Sequence, residues 1–177
     1  TGACRAVKVV PKAWKATDVA CPTFEVHMLR SLDHPGIVKL FETFEDQEHM
    51  YMVLELCEGG KLMDCLRSIR MTECSAASIM IQVFRAVRYL HMLGVRHGDL
   101  HTDNILMVSN EPPDKNTVKL VDFGCQNRGS GAPDDVAGCG STMRSLLSLC
   151  PTANFTIDER KSKSSKSTRT SVRRLTS

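Results

Sequence analysis

The sequence predicts an α+β fold in two unequal parts, followed by a segment without periodic pattern. Three observations carry this. Strand-like runs fill the first third, a long helical stripe fills the middle, and Gly59-Gly60 stands between them. Residues 5–10 (RAVKVV) read as a short buried strand that Pro11 ends. From Phe24 to Leu32 the apolar positions Phe24, Met28, Leu29 and Leu32 keep helical spacing, and His34-Pro35-Gly36 breaks the helix. Strands over Ile37–Phe44 and His49–Leu56 follow, joined by the polar turn Glu45–Glu48. Beyond the glycine pair, read as a flexible joint, comes a short helix near Leu62–Ile69. The strongest helix signal is Ser75–Leu93, where Ile79, Met80, Val83, Phe84, Val87 and Leu90 share one stripe and Gly94 stops it. Ile105–Val108 and Val118–Val121 are short strands around the polar loop Ser109–Asn116. The expected units are therefore residues 1–57, 58–151 and 152–177.

Length and composition narrow the class. The 177 residues suffice for one domain, or for two small lobes sharing a cleft. The chain opens on Thr1, not methionine, and the expectation is a fragment or a processed product. Apolar residues make up 42%, an ordinary share for a globular protein, and no run is long and apolar enough to span a membrane. Eight cysteines include no Cys-x-x-Cys pair, which argues against a zinc site and for reduced thiols in a cytoplasmic protein. The net charge of +3 hides an asymmetry. Residues 160–177 hold seven of the 23 basic residues and none of the 20 acidic ones, leaving residues 1–159 at −4. That tail is rich in Ser and Thr and reads as disordered. Weak contact with acidic surfaces is open to it, but a solvated end is the plainer reading, and no nucleic-acid partner is expected.

The chemistry concentrates in His97-Gly98-Asp99-Leu100-His101-Thr102-Asp103-Asn104 and in Asp122-Phe123-Gly124, eighteen residues beyond Asn104. Both lie at strand ends. Two carboxylates and an amide in this order form a known template for phosphoryl transfer. One carboxylate holds the attacking hydroxyl, while an amide oxygen and a second carboxylate fix magnesium on the phosphates.

With these pieces in order, residues 5 to 124 resemble the eukaryotic protein kinase family, with a fainter likeness to 151. RAVKVV resembles the strand bearing the phosphate-pairing lysine, FEVHMLRSLDHPGIVKLFETFED the helix and strand that follow, and YMVLELCEGGKLMD the hinge. The phrasing is closest to the calcium- and calmodulin-dependent branch of serine/threonine kinases. The resemblance implies an incomplete bilobal fold, an antiparallel sheet without its first strands above a partial helical lobe. It implies ATP and Mg2+ as cofactors and serine/threonine hydroxyls of proteins as substrates.

Residue by residue, it makes Lys8 the contact to the α- and β-phosphates and Glu25 the partner that holds it. Leu54 would guard the back of the adenine pocket. The backbone of Glu55 and Cys57 would meet adenine, with Ala6 and Leu106 sandwiching the ring. Each of those apolar residues would serve equally as plain core. Asp99 would orient the substrate hydroxyl, and Asn104 and Asp122 would bind Mg2+. Asp103 reads as a cap or turn residue. A column of Leu29, Leu40, His97 and Phe123 would stand on Asp135.

Several positions depart from the family pattern. The glycine-rich loop over the phosphates is absent from the sequence. Gly98 replaces an arginine that reads activation-loop phosphate. His101 replaces a lysine, and a largely neutral imidazole would stabilise moving phosphoryl charge less well. Lys61 replaces a glutamate that attracts basic substrates. Only seven residues separate Gly124 from Ala132-Pro133-Asp134, which resembles Ala-Pro-Glu. In DVAGCGSTMRSLLSLCP, Ala137, Ser141, Thr142 and Arg144 stand where apolar or aromatic residues are usual, so that helix looks eroded. An impaired, pseudokinase-like interaction module is thus the alternative. The loop HGDLHTDN also resembles that of choline- and aminoglycoside-type small-molecule kinases, although those lack DHPGIVKL and ELCEGG. In the tail, Arg173-Arg174-Leu175-Thr176 resembles a site for a basophilic kinase.

Overall fold

Leu40–Glu45 (β2) and His49–Leu54 (β3) form the hairpin from which the first sheet is built, in a computed structural model describing residues 2–12, 22–68, 71–123, 135–150 and 172–175. The turn between them closes because the Asp46 carboxylate accepts from the amides of Glu48 and His49 and from the Tyr51 hydroxyl. Those donors, the Tyr51 hydroxyl first, hold the Asp46 carboxyl at about 2. Arg5–Pro11 (β1) pairs antiparallel with β3, setting Ala6 opposite Leu54 and Lys8 opposite Met52. Pro11 belongs to the strand, one residue beyond the expected end.

Val172–Leu175 (β7) lies antiparallel on the other side of β1, completing the order β2-β3-β1-β7. This corrects the reading of residues 152–177 as wholly disordered. An open strand edge presents unpaired amides and carbonyls, and backbone pairing accepts almost any side chain. The low hydrophobicity that marked the tail is therefore no bar to a strand. The rest of that segment, Thr176 included, lies outside the described residues, as do the Ala132-Pro133-Asp134 string and Gly124.

Pro22–Ser31 (α1) carries Glu25 in its first turn, where a carboxylate is favoured by the helix dipole, and buries Val26, Met28 and Leu29. After it, Ile37–Lys39 does not join β2 as expected. It runs beside Val118–Leu120 (β6), with Leu120 N donating to Gly36 O at 2.9 Å and Val38 N to Leu120 O at 3.1 Å.

Gly60–Lys61 (β4), Ile105–Met107 (β5) and β6 form a second antiparallel sheet, under Leu62–Ser68 (α2). Here the glycine pair is not the flexible joint expected. Gly59 N donates to Met107 O at 3.1 Å, and a Cβ on Gly59 would sit 2.1 Å from Ser109 O and 2.6 Å from Met107 Cβ. Glycine is there because two backbones touch. Asn116 holds the following loop, accepting from Ser109 N and donating to the carbonyls of Ser109 and Glu111.

Glu73–Met92 (α3) starts two residues earlier than the periodicity indicates, because Thr72 caps it by accepting from Ser75 N. It ends at Gly94 (φ 71°), with Val95 N bonded to Leu90 O and Gly94 N to His91 O, both at 3.0 Å. Its stripe of Ile79, Met80, Val83, Val87 and Leu90 enters one core with Leu62, Ile105, Leu120 and Phe123. Phe84, counted with that stripe, is exposed. Asp135–Ser148 (α4) packs on α3, and its Gly138 lies against Leu100, which a Cβ would meet at 2.5 Å. Within it the Thr142 hydroxyl is buried without a hydrogen-bond partner among the described residues.

Gly59→Ala should lower the free energy of unfolding by about 1–3 kcal/mol, because the added methyl meets backbone that cannot rotate away. Urea titration checks this, and an unchanged midpoint would contradict the packing described.

Candidate active site

Lys8 points from the middle of β1 toward α1 and the segment after β6. Its ammonium lies 2.8 Å from both Glu25 carboxylate oxygens and also donates to Asp122 Oδ1. Burial alone would lower the Lys8 pKa, but the Glu25 and Asp122 carboxylates outweigh it and hold the group above its ordinary value. Asp122 adopts a left-handed backbone (φ 63°), which an aspartate tolerates better than most residues. That conformation turns the chain sharply, sending Asp122 to Lys8 while Phe123 is fully buried in the core.

The loop after α3 is held from below. The buried Asp135 carboxylate accepts from His97 N at 2.9 Å, Gly98 N at 2.8 Å and His91 Nε2 at 2.9 Å. Although burial would raise the Asp135 pKa, these donors and the nearby His97 bring it below the usual carboxylate value. His97 packs on Phe123 with ring centroids 4.8 Å apart and ring planes tilted by 47°. Burial keeps its imidazole neutral, against the pull of Asp135, the Val121 carbonyl, Asp99 and Asp122. Since a carbonyl can only accept, Nε2 carries the proton toward Val121 O at 2.9 Å, and Nδ1 accepts from Asp99 N at 3.3 Å. His97 thereby fixes the backbone of Asp99.

Asn104 closes the loop. Its Nδ2 donates to Asp99 O at 2.9 Å and to Asp99 Oδ2 at 3.3 Å, leaving its Oδ1 without a donor among the described residues. Val121 N donates to Asn104 O at 3.0 Å, which sets Asn104 beside the residue preceding Asp122. His101 Nε2 stands 3.5 Å from Asp99 Oδ2. That hydrogen bond, then the charges of Asp99, Asp103 and Asp122, raise the His101 pKa despite burial. Asp99, Asp103 and Asp122 thus make the His101 imidazole take up a proton more readily than a free one does. In the other direction, His101 and Asn104 hold Asp99 below its usual value. His101 caps the 3-10 turn Thr102–Asn104, its side chain accepting from Asp103 N, and Asp103 lies within the turn, the second of the two places expected for it.

The structure therefore brings together Lys8, Glu25 and Asp122 as one cluster and Asp99, His101 and Asn104 as a second, joined through Val121. Ala6 faces Leu54 across β1 and β3, Glu55 and Cys57 follow β3, and Leu106 lies half-buried on β5. Among the described residues these five share no hydrogen bond or ion pair with the charged clusters. Of the residues expected to form the column, Leu29, His97 and Phe123 are buried, Leu40 is half-buried, and His97 N donates to Asp135. Sequence reasoning missed the contact of His91 with Asp135, which no spacing reveals across 44 residues. It also missed Lys119, a lysine inside an apolar strand, the same signal that marked Lys8. A separate apolar cavity of about 670 Å3 lies between α3 and α4, lined by Phe84, Val87, Met92, Val136 and Met143, and shares no residue with these clusters.

Among the described residues no three His, Cys, Asp or Glu side chains group as a metal cage. The donors present still fit magnesium. Lys8 offsets only one of the two carboxylates it touches, and the free Asn104 oxygen and Asp122 are hard ligands on adjacent segments. Magnesium is characteristically held by one or two such groups together with water and phosphate oxygens.

His97 generates a pH prediction. Its folded-state pKa is depressed below 6.5, so the unfolded chain binds the proton more readily and stability falls as pH drops below 6.5. His97→Phe keeps a ring packed against Phe123 but strands Val121 O and Asp99 N, costing about 1–3 kcal/mol at neutral pH. Urea unfolding at pH 7.5 and pH 5 should show that the variant has lost part of the acid-induced drop; equal drops would contradict a neutral, buried His97.

The protein kinase domain family matches residues 1–167. The chain is 38% identical over 125 residues to calcium-dependent protein kinase 5 of Plasmodium falciparum (isolate 3D7), covering 70% of this chain and 22% of that protein. It is 39% identical over 121 residues to calcium-dependent protein kinase 3 of Plasmodium yoelii yoelii, covering 68% and 22%. CDPK-related kinase 7 of Arabidopsis thaliana is 39% identical over 124 residues, covering 67% and 21%. The chain thus spans about a fifth of the length of these curated relatives. An α+β chain with antiparallel sheets, the Lys8–Glu25–Asp122 cluster and this family match over nearly its whole length belongs to the protein kinase domain family.

Proposed function

We propose that this site transfers the terminal phosphoryl group of ATP to serine or threonine hydroxyls of protein substrates, with Mg2+. The observation that carries this reading is the direct contact of Lys8 with both Glu25 and Asp122, one backbone hydrogen bond away from Asn104 and Asp99. Lys8, oriented by Glu25, offers its ammonium to the α- and β-phosphates. Asn104 Oδ1 and the Asp122 carboxylate hold magnesium, which supplies charge neutralisation on the phosphates. Asp99 is anionic, placed by His97 and Asn104, and able to orient a hydroxyl and take its proton late. His101 beside it, when protonated, meets the negative charge that develops on the moving group.

Ala6, Leu54 and Leu106 offer apolar surface for adenine, and the backbone of Glu55 and Cys57 offers its hydrogen-bonding edge. Assignment to Ser/Thr substrates follows the resemblance of ELCEGGKLMD to the hinge of the calcium- and calmodulin-dependent branch of serine/threonine kinases. A second reading, a module that binds nucleotide or partners without turnover, is favoured by Gly98 and by the exposed Lys61. Both replace residues that in the family serve switching and basic-substrate binding.

The test is single-turnover phosphorylation of a mixed Ser/Thr peptide pool, with MgATP binding measured in parallel. Asp99→Asn should leave binding within about twofold and slow transfer by about 10²–10⁴-fold. Binding by the unsubstituted chain without any transfer would support the module instead. The wild-type rate should be greatest between the lowered pKa of Asp99 and the raised pKa of His101, falling at higher pH as His101 loses its proton. His101→Lys should remove that alkaline fall.

A further inference from the structure

We propose that Lys119 is a positioning residue that clamps the segment crossing from β3 to β4, an inference that rests on assigning Glu55 and Cys57 to the adenine edge. Lys119 lies on β6, three residues before Asp122, with its side chain only 11% exposed. Its ammonium meets Glu55 Oε2 at 2.8 Å and approaches Ile37 O at 3.5 Å. The same carboxylate oxygen accepts from Lys39 N at 3.3 Å, while Glu55 N donates to Lys39 O at 2.9 Å. Glu55 is therefore tied by both backbone and side chain to residues 37–39, and those residues are tied to β6. One buried cation joins the three segments.

A buried ammonium requires such partners, because an uncompensated charge out of water is strongly unfavourable. The far end of the crossing is fastened separately: Glu58 N donates to Val108 O at 3.0 Å and Gly59 N to Met107 O at 3.1 Å. Between the two fastenings stand Glu55 to Cys57. The charges reach that far. Burial pushes the Cys57 thiol up to about 11, with Glu55 adding to the rise and Lys119 opposing it. Because the clamp sits on the strand that leads into Asp122, it holds the adenine edge and the magnesium ligand in one frame. Such pre-organisation spares a ligand the cost of ordering the segment itself.

Lys119→Met keeps the alkyl stem and removes the charge, Glu55→Gln removes the opposite charge, and Lys119→Arg preserves the pair. Hydrogen exchange of the full, nucleotide-free chain reads the clamp directly. Amides of residues 55–59 should exchange about tenfold faster in Lys119→Met and Glu55→Gln, and near the wild-type rate in Lys119→Arg. The Kd for MgATP should rise about tenfold in the first two, while the Kd for magnesium tripolyphosphate, which has no adenine, stays unchanged. Unaltered exchange at 55–59 in Lys119→Met overturns the clamp. So does a parallel loss of ATP and tripolyphosphate binding, which marks general damage to the fold. Faster exchange in a chain whose wild type binds no nucleotide overturns the phosphotransfer reading and leaves the clamp standing.

Discussion

One buried cation in contact with two carboxylates organises this molecule. Lys8 comes from the sheet, Glu25 from α1 and Asp122 from the turn after β6, so three separate elements are fixed by a single ammonium. The Lys8 and Glu25 side chains are largely withdrawn from water, at 16% and 7% exposure. Removing either partner of such a pair leaves a charge in poor surroundings, which in comparable cases costs about 3–5 kcal/mol. The cluster is thus a structural joint as well as a charged surface. Its excess of one negative charge is what makes an additional cation, and the phosphates that travel with it, a fitting occupant.

The second cluster depends on a different device. Asp135 gathers three donors from α3 and the loop after it, and His97 relays that placement to Asp99 through its two ring nitrogens. A neutral imidazole is needed for this, since a doubly protonated ring could not accept from the Asp99 amide. Burial supplies that neutrality. His101, half-exposed among three carboxylates, is driven the other way. The pKa values of two histidines four residues apart are therefore shifted in opposite directions, by burial in one case and by neighbouring charge in the other.

Much of this was legible in the sequence because the signals were strong and local. The stripe on α3, the turn closed by Asp46 and the lysine within RAVKVV each report their own environment, and each element formed near its expected place. What stayed hidden was set by tertiary approach. Gly59 and Gly60 carry the composition of a flexible joint, yet the closeness of Met107 and Ser109 makes Gly59 a packing requirement. Ile37–Lys39 has strand character but no free place in the first sheet, so it follows β6. Val172–Leu175 sits in a segment whose composition argues for disorder, and it pairs because β1 offers an edge. For the site, the grouping of Lys8, Glu25 and Asp122 follows from family resemblance. The pairing of Lys119 with Glu55 and the carboxylates beside His101 follow only from distances.

The most direct test of the account is calorimetric titration of MgATP into the chain and into Lys8→Met, each with and without magnesium. If Lys8, Asn104 and Asp122 form one phosphate and metal site, binding requires magnesium and weakens by about tenfold or more in Lys8→Met. Equal affinity in the two proteins, or affinity indifferent to magnesium, would contradict it.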